Sequence, residues 1–572
     1  MKIKTFYSLL ALLVFSLAAL AQKSTPTTTI TTPSDTTEYQ PPEKKPDPKD
    51  PKIELPDVLI YGKDQYHRTV KNKKDVTPES PSLIRKEAAY EPMSTWFSRD
   101  DQKPHIDESD SLIIQQIWAK LMGGSLLTLT GDVGYWQRLD QGDVAAYAWF
   151  DRSEGQFHNS KYGQGGLSGT FGYEIAPKVK ALFAAEYERY GRGLQERGFL
   201  TKNAVRTTGT GLFSADLQYD VNKLSDGNLG FEFGGLAMTS DSSGAQIDKS
   251  NDFYYDVHFD YTTQYKKTQF QAKGQYTRET LETVADSMQT QTGFGFIGLE
   301  ALHPLSNKFS AALGTDVQFF SHDTLASKSR VSPYARLNIV PSPRVGLSLL
   351  LSTGFEYNTF KSYWQENSYL SHRILQRPSE SDFSVQLKGD VAITEQIKFR
   401  GSYERQWMKE TFYWQADTTT GLFNLQPIGN TKLSEIEIGV VAALSEKTRL
   451  QASYIDYADN VPESADSFQQ NAGMNRLPYR PDFRLPVRAS IQLLPQMNLA
   501  LTADVVGKRR KTLYSNETLP TFALFHVDVK YDVHENITAL LSVRNLLDAK
   551  YSVWDGYPET GIVVLAGARA RF

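Results

Sequence analysis

The chain has 572 residues, of which 40% are hydrophobic and 22% charged, a net charge of −4 and no cysteine. The missing cysteines exclude disulfides, thiolate metal sites and a cysteine nucleophile, and a pI near 6.2 gives no basic footprint for nucleic acid. A mean hydropathy of −0.43 excludes a bundle of membrane helices, whereas 30 Tyr and 30 Phe point to β structure.

At the start of the chain, Lys2 and Lys4 precede an apolar run from Phe6 to Leu20. Ala19-Leu20-Ala21 then supplies an A-x-A site, so residues 1–21 are expected to be a signal peptide cleaved before Gln22. Residues 22–52 are rich in Thr, Pro and charge and bury too little apolar surface to order themselves, which predicts a disordered linker. Residues 53–111 form a short periplasmic or lumen segment, with one apolar stretch from Ile53 to Gly62 and polar, irregular sequence after it. No later run reaches the twenty or so apolar residues of a spanning helix. The chain therefore crosses a membrane as a closed barrel or not at all, because lipid offers no partner to an open backbone.

From residue 112 to 572 the sequence alternates with a period of two, the signature of strands with two different faces. In 521–531, Ala523, Phe525, Val527, Val529 and Tyr531 share one face, and Phe522, Leu524, His526, Asp528 and Lys530 share the other. In 385–393, Val385, Leu387, Val391 and Ile393 oppose Gln386, Lys388 and Asp390. A β-sandwich alternates as well, so the connections must discriminate. Short turns such as Ala176-Pro177-Lys178, Pro341-Ser342-Pro343 and Leu494-Pro495-Gln496 alternate with long polar loops at 153–163, 191–203, 358–380, 415–430, 458–482 and 511–520. Short turns on one rim and long loops on the other predict a transmembrane antiparallel β-barrel of about 22 strands, the first near 112–122 and the last at 560–572. The last strand puts Ile562, Val564, Ala566, Ala568 and Ala570 on its lipid face and stops on Phe572, a terminal aromatic that resembles the assembly signal of outer-membrane barrels.

Asn545-Leu546-Leu547-Asp548-Ala549-Lys550-Tyr551, followed by Gly556-Tyr557-Pro558 and Gly561, resembles the C-terminal end of TonB-dependent receptors. Asn545, Asp548, Tyr551, Gly556 and Gly561 are the matching positions. Asp151 to Gly155 with His158-Asn159-Ser160 resembles an early extracellular loop of the same family. Leu55-Pro56-Asp57-Val58-Leu59-Ile60 resembles the segment that holds the TonB box, with Asp57, Val58, Leu59 and Ile60 at its centre. The resemblance implies a receptor barrel in the outer membrane, with lipid and the barrel-assembly machinery as partners; TonB is the partner that the N-terminal box implies, and the alternative is that the box is a relic, since force on it does little without a plug to move. The polar stretch 63–110 is too short and hydrophilic for the globular plug of such receptors. It is expected to fold into the lumen, with Asp107, Glu108 and Asp110 near Arg569 and Arg571, unless a separate plug or surface lipoprotein fills the barrel.

The nine His are scattered, with no metal-ligand spacing and no HExxH. His526 and Asp528 share a lumen face, which a watery interior explains without catalysis, so no enzyme and no cofactor are expected. The aromatic loop residues Tyr363, Trp364, Tyr413, Trp414 and Trp554 are candidate ligand contacts for a sugar or flat chelate; the alternative is a girdle at the outer interface. The expected function is a transporter or pore for a small solute or nutrient. The alternative is a non-transporting surface protein whose barrel is a scaffold for binding loops or a partner subunit.

Overall fold

A strand with one apolar and one polar face, repeated many times, leaves two unpaired edges unless the sheet closes on itself. In the computed structural model it closes. Residues 115–157, 160–194, 204–222, 225–242, 245–284, 288–372, 374, 376–461 and 476–572 are described. Ala19, Ala21 and Gln22, the TonB-box-like Asp57, Val58, Leu59 and Ile60, the linker, the acidic cluster near 107–110 and His158-Asn159 lie outside the described residues.

The first strand is Gln115–Gly124 and the last barrel strand is Val563–Arg571. Successive strands pair antiparallel in a single 22-stranded sheet. The first and last strands join it into a ring, with Trp118 opposite Arg571 and Gly124 opposite Leu565. A Cβ on Gly124 would lie 1.8 Å from the Val564 carbonyl oxygen, so the closing seam requires glycine there.

The rule of rims holds. Pro177-Lys178, Lys266-Lys267, Pro343-Arg344, Glu446-Lys447, Pro495-Gln496 and Glu535-Asn536 are two-residue turns on one rim, and both barrel ends lie on that side. The opposite rim carries the long connections 357–378, 461–482, 507–521 and 545–562. One expected loop is corrected. Most of 415–430 is strand, since Ile397–Ala416 and Phe423–Ser445 run on above the bilayer and leave only 417–422 as a connection. The seventeenth strand, Thr448–Asn460, pairs with this ladder only from Lys432 onwards. Residues 423–431 therefore have a free edge, where Pro427 is tolerated.

Outward side chains form a lipid belt. Leu167, Leu299 and Leu313 are 59%, 61% and 68% exposed, which no water-facing surface sustains around a whole ring. Tyr173, Tyr265, Phe270, Phe309, Phe399 and Tyr531 point outward near the short turns. Phe150, Tyr187, Phe233, Phe253, Phe319 and Phe383 do so roughly ten residues further along their strands, the length a tilted strand needs to cross the hydrocarbon. These are the two interface girdles, and the loop aromatics are in neither. Among the described residues no helix is long and apolar enough to cross a membrane; the strands do the crossing. Inside, charges on neighbouring and next-but-one strands neutralise one another: Lys120–Asp132 at 3.3 Å, Lys273–Asp316 at 3.5 Å and Arg336–Glu300 at 3.1 Å.

Candidate functional site

An aromatic loop over a wide lumen can stand in water or fold into the mouth, and burial decides which. Here the loops fold inward. Phe360, Tyr363, Trp364, Tyr369 and Leu370 from 357–378 meet Leu422 and Phe423, Tyr479, Leu519, and Tyr551, Val553, Trp554 and Tyr557 from 545–562, in one apolar core. Leu236, Met238 and Leu281 join it from the seventh and ninth strands, and Val506 and Leu524 from the nineteenth and twentieth. Those walls lie on opposite sides of the ring, so the core spans the extracellular mouth. The covalent closure on this side is thus made by extracellular loops, which the sequence does not announce; the expected lumen segment 63–110 lies outside the described residues.

The segment 357–378 is the largest part of this cap. Its helix α1, Phe360–Glu366, begins at Thr359, whose side chain accepts the Ser362 amide, and buries Phe360, Tyr363 and Trp364. The i, i+3, i+4 spacing of those three residues is the apolar stripe of a short helix, a signal available in the sequence. Glu279 on the ninth strand is fully buried and anchors the helix start, accepting the Phe360 amide at 2.6 Å and the Tyr357 hydroxyl. Beyond the helix, the chain adds to the free edge of the sixteenth strand: the Phe423 amide donates to Tyr369 O at 3.0 Å and the Ser371 amide donates to Phe423 O at 2.7 Å. Arg206 donates to the carbonyls of Leu370 and Ser368 at 2.6 and 3.1 Å. His372 sits between the hydroxyls of Ser240 and Ser250 at 2.9 and 3.0 Å. Arg192 of the fifth strand donates to Ser368 Oγ at 2.9 Å, so every wall from the fifth to the ninth strand holds some part of this segment. Burial pushes the phenols of Tyr363 and Tyr369 above their ordinary range, so both stay neutral.

The last loop completes the cap, and the family-like residues have physical tasks in it. Asn545 takes a left-handed backbone, φ 47°. Its side chain donates to Ala549 O at 3.0 Å and Thr560 O at 3.3 Å and accepts the Ala549 amide at 2.9 Å, tying the two ends of the loop together. Asp548 accepts the Ile562 amide at 3.0 Å. A Cβ on Gly561 would lie 2.1 Å from Asp548 Oδ1 and 2.4 Å from Gln156 Oε1, so any side chain there would displace both of these contacts. Gly556, φ 85°, turns the short ladder that presents Trp554 and Tyr557 to the core. Tyr551 packs on Phe522 at 4.5 Å, and Tyr557 stacks on Tyr369 at 3.6 Å. The Tyr557 hydroxyl donates to Gly421 O at 3.1 Å, which latches the last loop to the 417–422 connection. His526 accepts the Asn545 amide at 3.1 Å through Nδ1, a structural task.

Between α1 and the inner wall of the fifteenth to eighteenth strands lies a cavity of about 260 Å³. Tyr363, Tyr413 and Trp414 line it, with Glu356, Glu366, Glu404, Glu435, Arg480 and Arg484. Of the five aromatics proposed as ligand contacts, the structure brings these three to a cavity. Trp364 and Trp554 are packed inside the cap, 6% and 2% exposed, and offer no open ring face. The carboxylates and arginines of the cavity come from strands far apart in sequence, and no local motif marks them.

A closed meander of 22 strands, girdled by aromatics, with both ends on the short-turn rim, is an integral outer-membrane barrel. Solved structures share this fold. The siderophore receptor PiuA from Acinetobacter baumannii matches with a TM-score of 0.64 and 12% identity over 80% of this chain and 82% of that one. The FrpB iron transporter from Neisseria meningitidis matches with a TM-score of 0.65 and 10% identity over 80% and 82%. The copper transporter OprC matches with a TM-score of 0.63 and 10% identity over 80% of each chain. The barrel therefore has the architecture of TonB-dependent receptors, as the C-terminal motif implied. No family model and no curated protein matches the sequence.

Proposed function

We propose that this protein is an outer-membrane transporter for a small solute, with its extracellular loops acting as the gate and TonB as the source of energy. The observation that carries the reading is the cap itself: an apolar core across the mouth of a wide barrel, built from loops and joined to the walls by discrete polar contacts at Glu279, Arg206 and His372 and by one edge ladder at Phe423. A pore of this width without a closure would leak, and a closure made of loops on a rigid barrel is one that can open. The architecture shared with the siderophore, iron and copper proteins supports transport as the class. A scaffold for display would hold its binding loops outward, and the inward packing of 357–378 and 545–562 counts against that reading. Residues 1–21 deliver the chain to the periplasm in this account, and the assembly machinery reads Phe572. Val58, Leu59 and Ile60 then offer a strand for β-addition to TonB. The test is retention of the detergent-folded full chain on the immobilised periplasmic domain of TonB. Retention lost in Val58→Pro is expected; no retention of the native chain would sink the energised transporter and favour the scaffold.

A further inference from the structure

We infer that the closed cap holds one proton shared between the buried carboxyls of Asp252 and Glu279, and that opening the cap releases it, so the gate answers to pH. The inference rests on the gate reading of the cap and adds what controls it. Asp252 lies on the eighth strand and Glu279 on the ninth. Their register sets Asp252 opposite Leu281 and Glu279 opposite Tyr254, so the two carboxyls are diagonal neighbours on the lumen face. Phe253, next to Asp252, points outward in the outer girdle, which places the pair at the extracellular end of the lumen. Asp252 is 3% exposed and Glu279 is wholly buried. Among the described residues neither carboxyl has an ion-pair partner.

The hydrogen bonds assign the charge. Glu279 receives a donor at each oxygen, the Phe360 amide at 2.6 Å on Oε1 and the Tyr357 hydroxyl on Oε2, which is the pattern of a carboxylate. Asp252 has the opposite surroundings: both of its oxygens are buried, and no amide, hydroxyl or ammonium donates to either. Tyr254, two residues along the same face, donates to Glu232 instead, at 2.8 Å. The group that Asp252 does meet is Glu279. Two acceptors in contact need a proton between them, so Asp252 is the neutral acid and its O–H donates to Glu279. The other titratable groups facing the pair are Glu232 and Tyr254 on the seventh and eighth strands, and Tyr357, Lys361, Tyr363 and His372 in the cap. The tenth strand offers only Thr292 opposite Glu279. Glu232 favours the shared proton, and Lys361 opposes it without forming an ion pair. His372 gains charge as pH falls, whereas the pair gains charge as pH rises, so the two have opposite signatures. In the open cap water solvates both carboxyls, which then ionise in the ordinary range near about 4. Above that range the closed state binds one proton more than the open state, so its advantage falls as pH rises, by up to about tenfold per pH unit.

The experiment pairs infrared spectroscopy with planar-bilayer recording on the full chain, native and Asp252→Asn, each checked for the heat-modifiable migration of a folded barrel. The asparagine amide donates to Glu279 as the acid does but cannot ionise. At neutral pH the native-minus-variant spectrum should show the carbonyl stretch of one protonated carboxylic acid, shifted by deuteration. Brief openings of the native barrel should become about tenfold or more frequent from about pH 6 to about pH 9, while the variant stays shut across that range. In the native chain alone, the acid band should fade over the same pH range in which openings increase, a reading that needs no variant. Absence of the acid band at neutral pH, or openings that rise with pH as steeply in the folded Asp252→Asn protein, would overturn the shared proton. An acid band with native openings indifferent to pH would overturn its release. A native barrel silent at every pH, with the acid band present, would sink the gate and leave the proton between the two carboxyls.

Discussion

Asn545 carries a cost and a gain in one residue. Its left-handed backbone costs roughly 1–2 kcal/mol for a residue with a Cβ, and its side chain makes three hydrogen bonds of about 1 kcal/mol each across the last loop. Asn545→Ala keeps the cost and loses the bonds, so it should destabilise the loop by about 3 kcal/mol. Asn545→Gly loses the same bonds but relieves the backbone, and should be less damaging by roughly 1 kcal/mol. Urea titration of the folded barrel, read by tryptophan fluorescence from Trp554, measures both. Equal losses in the two variants would contradict the backbone argument, and no loss would contradict the clamp. The positions of this motif were legible as a resemblance, Asn545 to Gly561. Their tasks were not, because the partners of Asn545, Asp548 and Gly561 include Thr560 and Gln156, which only the folded loop brings near.

At the scale of elements, strands were readable and the cap was not, for a physical reason. Alternation is local, so Ala523 to Tyr531 and Val385 to Ile393 announce their faces without reference to the rest of the chain. Whether Tyr363 and Trp554 stand in water, at an interface or inside depends on walls hundreds of residues away. The stripe Phe360, Tyr363, Trp364 after the N-capping Thr359 was the one local signal for α1. The long reading of 415–430 failed because Pro427 and Gly429 look like loop residues, yet they sit on a ladder whose outer edge is free. The cap depends on its anchor. Glu279→Ala leaves the buried Phe360 amide without its acceptor, a loss of about 1–3 kcal/mol. Limited proteolysis should then cut within 357–378, at Lys361, on the order of tenfold faster, with the barrel's heat-modifiable migration unchanged. An unchanged cleavage rate would mean that Glu279 does not hold the segment down.

For the whole molecule, the strand number, the two rims and the lipid belt follow from pattern and connection length, and the outer-membrane setting follows from them. What pattern could not supply is the closure, since a lumen of this width can be filled from either side. The account makes a specific claim about it: the mouth is shut by the aromatic core that joins 357–378 to 545–562. Planar-bilayer recording tests this most directly, comparing the full chain with a variant in which residues 359–377 are replaced by a short Gly-Ser linker. The full chain should pass almost no steady current, and the variant should open in large, stable steps, because removing α1 and the Tyr369–Leu370 ladder takes away the centre of the cap. Equal conductance in the two proteins, both silent or both open, would contradict the closure proposed for this barrel.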